Sequence, residues 1–305
     1  MRWMKNDKLP LDGIGLMIAG ALFVLSVPSP DPWPDLLVGV ATSFVFLAVF
    51  DMLLAVQGSL LGRRRAKFFG RELARGGATF AFPDFEPHHD VTRALEGVGM
   101  PHRYQRPTSK IRGLADFWID THYSAAPSDI EAILYLADIF DGIAAKPNLM
   151  MTDRRLIEGC DRSFLSVGLS SSACTFLYLE RMADLSMFEL VPEPDERPFR
   201  KFVRVKDGRE FHSDSHRQYG LIMRHSPDPR HCPDRRWFIV GGIGTEGTLG
   251  AGWYLSRHWR YLAGRVPPHQ DFIAIIDVPA IAPRSAYLKD SNIIVAEPDA
   301  LTLHD

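Results

Sequence analysis

The chain has 305 residues, enough for one sizeable core plus an appendage. Its 35 basic and 37 acidic residues leave a net charge of −2, which argues against nucleic acid as a bulk partner. Cys160, Cys174 and Cys232 show neither CxxC spacing nor a disulfide framework, and so fit a reducing compartment.

Two apolar stretches open the chain. Leu11–Val27 has about 17 residues and Leu36–Val56 about 21, each near the length a hydrocarbon core requires. The Pro-rich segment between them, Pro28 to Asp35, reads as a rigid polar turn carrying Trp33, an interface residue. Basic residues flank only the outer ends: Arg2, Lys5 and Lys8 before, and Arg63, Arg64, Arg65 and Lys67 after. By the positive-inside rule, residues 1–62 form a multi-pass transmembrane helical hairpin of the inner membrane, with both termini cytoplasmic. The lipid bilayer is then a partner, and Gly13, Gly15, Gly20 and Gly39 with nearby alanines suggest a homo-oligomer through the hairpin. Asp12 and Asp51 fall towards the cytoplasmic side, where an acid reaches water or serves an ion path. Two buried core helices of a soluble protein are the alternative.

Residues 63–305 read as a cytoplasmic, mostly parallel α/β domain. Gly58–Phe69 is a basic, apolar helix leaving the membrane surface, with Arg63–Arg65 facing anionic headgroups. Ala78–Phe82 is a short strand ending at Pro83. The cluster Asp84 to Asp90 then offers Asp84, Glu86 and His88 as bases or metal ligands, or simply as loop residues. Gly97–Arg112 is basic and turn-rich. At Pro127 a helix begins with Ser128 as cap, Glu131 three residues later and an apolar stripe through Ile130, Ile133, Leu134, Ala137 and Phe140.

Leu149–Met151 and Ser163–Val167 are strands. After the second come Gly168, Leu169, Ser170, Ser171, Ser172, Ala173, Cys174 and Thr175, and then a helix through Phe176, Leu177, Leu179 and Met182. Serine hydroxyls beside free helix N–H groups suit a phosphate or carboxylate. The G-x-S-x-G elbow and Ser-x-x-Lys pair of serine hydrolases are both missing. A β-hairpin insert at 192–218 follows, with Phe199–Val205 returning through Glu210–His212 about Asp207-Gly208. Beyond the strand Tyr219–Met223, His225, His231, Cys232 and Asp234 crowd around prolines, a poor metal cage, so no metal is assigned and the cofactor is unknown.

The run Trp237–Val240 enters a loop in which Gly242, Gly244 and Gly247 match G-x-G-x-x-G, and a helix follows to about Leu262. Those glycines either let backbone N–H groups reach an anion or keep the turn small so that helix packs on strand. Phe272–Val278 and Asn292–Ala296 are further buried strands. A dinucleotide fingerprint asks for an acid about 20 residues past the glycines, whereas Asp277 lies about 30 past Gly247, which argues against an ordinary NAD dehydrogenase.

Taken together, Phe164–Ser172, Tyr219–Arg224 and Phe238–Leu249 resemble the corresponding stretches of bacterial proteins in which a two-transmembrane-helix hairpin is fused to a Rossmann-like cytoplasmic sensor or effector domain. That resemblance implies a nucleotide messenger bound inside and a membrane part that responds, in signalling or bacterial defence. It transfers no catalytic residue. Where it leads one to expect an Asn, this chain has Ser172-Ala173-Cys174. The expected function is membrane-anchored binding of a nucleotide-like or other anionic small ligand. Its ligand set is Gly168, Ser170, Ser171, Ser172 and Thr175 in one loop, and Gly242, Gly244, Thr245, Gly247 and Thr248 in the other. Two alternatives remain: an enzyme cleaving a nucleotide or N-glycosidic bond with Asp84, Glu86, His88 or Glu246 as acid or base, and a structural membrane protein with a protein-interaction domain.

Overall fold

The computed structural model describes residues 19–22, 24–25, 33–83, 103–105, 118–120, 126–140, 148–158, 161–192 and 201–296. The chain divides into two compact units, Met1–Arg64 and Arg65–Asp305.

In the first unit, helix α1 (Trp33–Phe69) runs for 37 residues without a break. Its Leu, Ala, Val and Phe content suits a helix, and Thr42 and Ser43 return their hydroxyls to the carbonyls of Val38 and Gly39 at 2.7 and 2.9 Å. Phe46, Leu47, Met52 and Leu53 are exposed, as is the acid Asp51, while Ala41 and Ala48, two turns apart, are buried. Asp35–Phe69 is long and apolar enough to cross a membrane, with a hydropathy of 2.2, and is the one such helix among the described residues. Of the first expected span only residues 19–22 and 24–25 are described, and they are helical, so the hairpin as a whole lies outside what the described residues cover. Gly58–Phe69 is helical, as expected, and continues α1 without a break; Gly58 and Gly62 are absorbed into it at a cost of about 1 kcal/mol each that does not stop a helix this long.

In the second unit, the last residues of α1, Arg65–Phe69, are followed by α2 (Arg71–Gly76), β1 (Thr79–Phe82), β2 (Arg103–Gln105) and β3 (Trp118–Asp120). Then come α3 (Pro127–Phe140), β4 (Leu149–Thr152), α4 (Asp153–Ile157), β5 (Phe164–Val167) and α5 (Ala173–Met182). The chain continues through β6 (Phe188–Pro192), β7 (Lys201–Val205), β8 (Glu210–Phe211), β9 (Arg217–His225), β10 (Trp237–Ile243), α6 (Thr245–Arg265), β11 (Phe272–Pro279) and β12 (Tyr287–Val295).

A seven-stranded sheet in the order β12-β11-β9-β10-β5-β1-β4 organises the domain. Strands β4, β1, β5 and β10 pair in parallel. Both β10 and β11 pair antiparallel with β9, so β11 points the same way as β10, and five of the seven strands share one direction. The other two, β9 and β12, run against them. The sheet is therefore mostly parallel in direction, with its β12-β11-β9-β10 side paired antiparallel because β12 and the internal strand β9 are reversed.

Alternation along the strands splits the core. On one face Phe238 and Phe272 meet Phe68, Phe69 and Trp259 in a cluster of rings whose neighbouring centroids lie 4.8–6.3 Å apart. On the other face Ile239, Met223 and Ile273 pack with Tyr178, Phe188 and Val203. The small sheet β6-β7-β8 covers this second face. The expected hairpin about Asp207-Gly208 is present as β7 and β8, but the insert gains a third strand, β6, starting at Phe188, and the segment from Arg217 belongs to the central sheet.

The glycines of the β10–α6 loop are used for close packing. A methyl group at Gly242 would come within 2.1 Å of the Gly247 carbonyl carbon, and one at Gly241 within 2.6 Å of the Gly168 carbonyl carbon. Only hydrogen fits there, so the first turn of α6 lies directly on the sheet and the β5 loop lies directly on the β10 loop.

Candidate functional site

Loops at the carboxyl ends of parallel strands share an edge of the sheet, where α/β proteins bind ligands. The loops after β5 and β10 both open on that edge. They touch through backbone, Gly168 N–H donating to the Val240 carbonyl at 3.0 Å.

The start of α5 is closed. Asp153, at the end of β4 and 1% exposed, accepts the Ala173 N–H on Oδ2 at 2.6 Å. Ser172 is fully buried and its hydroxyl bonds that of Ser166 at 2.8 Å. The Thr175 hydroxyl, also fully buried, faces the Gly168 carbonyl at 3.5 Å. Of the five residues expected in this loop, Gly168, Ser172 and Thr175 are buried, and Ser170 and Ser171 face solvent.

At α6 the arrangement differs. Gln218, near the start of β9, accepts the Gly247 N–H on Oε1 at 3.0 Å and donates from Nε2 to Glu246 at 2.7 Å. The Thr245 hydroxyl donates to the same carboxylate at 2.8 Å. Burial works to raise the Glu246 carboxyl, but bonds from Thr245, its own backbone N–H and Gln218 outweigh it and hold the group below the usual carboxylate range. Gly244, at φ +100°, and Thr245 are exposed, whereas Gly247 and Thr248 are buried in the first turn. An anion reaching this helix start meets an ionised acid already there.

Between the two loops lies a cavity of about 280 Å³, lined by Leu169, Ser170, Leu190, Lys201, Ser213, Asp214, Gln218 and the segment Gly242–Gly244. It takes Ser170, Gly242 and Gly244 from the expected set and leaves out the other seven, including Ser171 and Thr245. Leu190 and Lys201 come from the small sheet, and Ser213 and Asp214 from the link between β8 and β9. Asp214 folds that link by accepting the N–H groups of Arg217 and His216, each at 2.7 Å, and these bonds hold its carboxyl below the usual range. The Lys201 ammonium sits 5.1 Å from the Phe176 ring centroid and has no ion pair with any described residue.

No family model, curated protein or solved structure matches this chain. The site must therefore be judged on its own chemistry.

Sequence reasoning did not single out Leu190, Lys201, Ser213, Asp214 or Gln218 as site residues. Only the alternation of Phe, Val, Lys and Arg around Lys201 marked its strand, and nothing local marked where that strand would dock. Asp277, the candidate ribose acid, is buried at the end of β11 and is held by Arg217 at 3.2 Å and Lys289 at 3.8 Å, away from the cavity lining. Asp84, Glu86 and His88 lie outside the described residues. His225 pairs with Asp271 at 2.7 Å and His231 with Asp228 at 3.0 Å, so these two histidines go to different partners. Among the described residues no three of His, Cys, Asp and Glu gather in a way that could hold a metal ion.

Proposed function

We propose that the chain is a membrane-anchored protein that binds a small anionic ligand in the cavity between the β5 and β10 loops. The observation that carries this reading is Lys201, a cation lining a partly apolar cavity with no carboxylate paired to it among the described residues. Leu169, Leu190 and Ile243 offer apolar wall, and Ser170 and Ser213 offer hydroxyls. Glu246 and Asp214 bias the site towards a ligand with a single anionic group rather than a chain of phosphates. A nucleotide-like compound with one phosphate, or a carboxylate, satisfies that balance. Anchoring rests on α1, whose exposed apolar surface has no other evident use. A second span before it, with both termini cytoplasmic, is the arrangement favoured by the flanking basic residues and by the burial of Ala19, Ala41 and Ala48. A role in signalling or defence would follow if the ligand is a messenger.

The test is calorimetric titration of the full chain in lipid nanodiscs with nucleoside monophosphates, cyclic nucleotides and small carboxylates. One class is expected to bind, and Lys201→Gln is expected to weaken it about tenfold, the loss of one charge-assisted bond. Binding by none of these to folded protein, or full affinity in Lys201→Gln, would remove this function.

A further inference from the structure

The cavity between the β5 and β10 loops carries a second charge besides Lys201. Asp214 lines it from the link between β8 and β9. Its Oδ1 accepts both of the N–H groups that fold the link, from His216 and Arg217, each at 2.7 Å. Its other oxygen, Oδ2, has no hydrogen bond or ion pair with any described residue. The Arg217 and His216 N–H groups hold the carboxyl below its ordinary range, so it is charged at neutral pH. The Arg217 guanidinium does not pair with it, being turned to Asp277 and to the Tyr287 hydroxyl, each at 3.2 Å.

Lys201 reaches the same space from β7, with its ammonium resting on the ring of Phe176 in α5. Lys201 and Asp214 thus present opposite charges to one cavity and do not pair with each other. A ligand with an acid group alone meets Lys201 but leaves a like charge facing it at Asp214, and a cation alone has the converse difficulty. A ligand carrying both an acid group and an ammonium satisfies the two walls together. Size points the same way. At about 280 Å³ the cavity lies just under the roughly 300–1,000 Å³ of pockets that hold drug-sized ligands. Leu169, Leu190 and Ile243 offer a short apolar body a surface to lie on.

We propose that this cavity binds a small zwitterion, an amino acid or similar amine–acid, with its acid group at Lys201 and its ammonium at Asp214. This rests on the anion reading of the same cavity and narrows it to an anion that carries its own cation. Calorimetric titration of the full chain in lipid nanodiscs tests it with matched probes that differ by one charged group. Leucine is set against isocaproate, which lacks the ammonium, and δ-aminovalerate, whose two charges stand further apart, against valerate. In at least one pair the amine–acid is expected to bind about tenfold more tightly than its plain acid, the contribution of one charge-assisted bond. That comparison is made on the unaltered chain and needs no variant to fold. Asp214→Asn keeps an oxygen for the two backbone N–H groups; it should erase the advantage of the amine–acid and tighten the plain acid about twofold by removing a like charge. Lys201→Gln should weaken every acid. Equal affinity within both pairs would overturn the zwitterion and leave the anion reading standing. So would a preference for the amine–acid that survives Asp214→Asn, or binding of a nucleoside monophosphate with none of the four probes. Folded protein that binds neither these probes nor any nucleotide would overturn both.

Discussion

The starts of α5 and α6 are built from the same sequence pattern, a buried strand, a loop of small residues and a helix, yet they end in opposite states. At α5 a buried carboxylate, Asp153, arrives from β4 and takes the first N–H, and two hydroxyls turn inward. At α6 a neutral amide, Gln218, takes the Gly247 N–H, the helix's own Glu246 supplies the only carboxylate bonded at that start among the described residues, and the loop stays open to a cavity. The positive end of a helix attracts an anion whether a ligand or the protein's own side chain supplies it. A strand–loop–helix pattern therefore marks a place where an acceptor is needed, and the neighbouring strands decide whether the fold has already provided one.

Breaking the packing under α6 gives the largest expected effect. Gly242→Ala puts a methyl group into the Gly247 and Thr248 backbone, which cannot move aside as a flexible side chain could, and should cost about 3 kcal/mol or more by chemical denaturation. A loss under 1 kcal/mol would mean that the loop is looser than its contacts suggest. Asp153→Ala comes next. It leaves the Ala173 N–H without its acceptor in a buried setting and should cost about 2 kcal/mol. The matching change Gln218→Ala should cost only about 1 kcal/mol, because the α6 start is more open and water can replace the amide. If the two substitutions cost the same, the contrast between a closed and an open helix start fails.

The smallest effect is a pH dependence away from both helix starts. Burial lifts the Asp129 carboxyl in α3 to about 6, against the ordinary 3.8, with a smaller opposing contribution from Ser128. The folded value lies above the unfolded one, so the charged form burdens the folded state. That penalty is absent below about pH 4 and complete above about pH 6, and reaches a few kcal/mol at most, about 1 after relaxation. Asp129→Asn should thus be more stable than the wild-type chain at pH 7 and equal to it at pH 4. A melting-temperature series across that range checks the sign, and a difference that does not change with pH would refute it.

Most of the elements were legible because their patterns are local. Pro127 and the apolar stripe after it marked α3, although Ser128, expected as its cap, lies inside the helix and Glu131 bonds Arg284 and Tyr135 instead. The runs at Phe164, Trp237 and Phe272 marked buried strands, and Asp207-Gly208 marked the β7–β8 turn. What failed to show was β6, whose Phe188, Leu190 and Val191 carry no turn signal before them, and the cavity wall itself. Lys201, Asp214 and Gln218 stand far in sequence from Ser170 and Gly244, and meet them only because the small sheet folds back over the β5–β10 edge.

The sequence by itself determined the apolar length of α1, the identity of the parallel strands and the two glycine- and serine-rich helix starts, since each depends on spacing within a short window. Tertiary structure decided the rest. It made five of seven strands point one way through the reversal at β9, filled one helix start with Asp153, and left the other beside a lysine with no ion pair among the described residues. Those outcomes depend on which strand lies next to which, a property of the whole sheet that no short window contains.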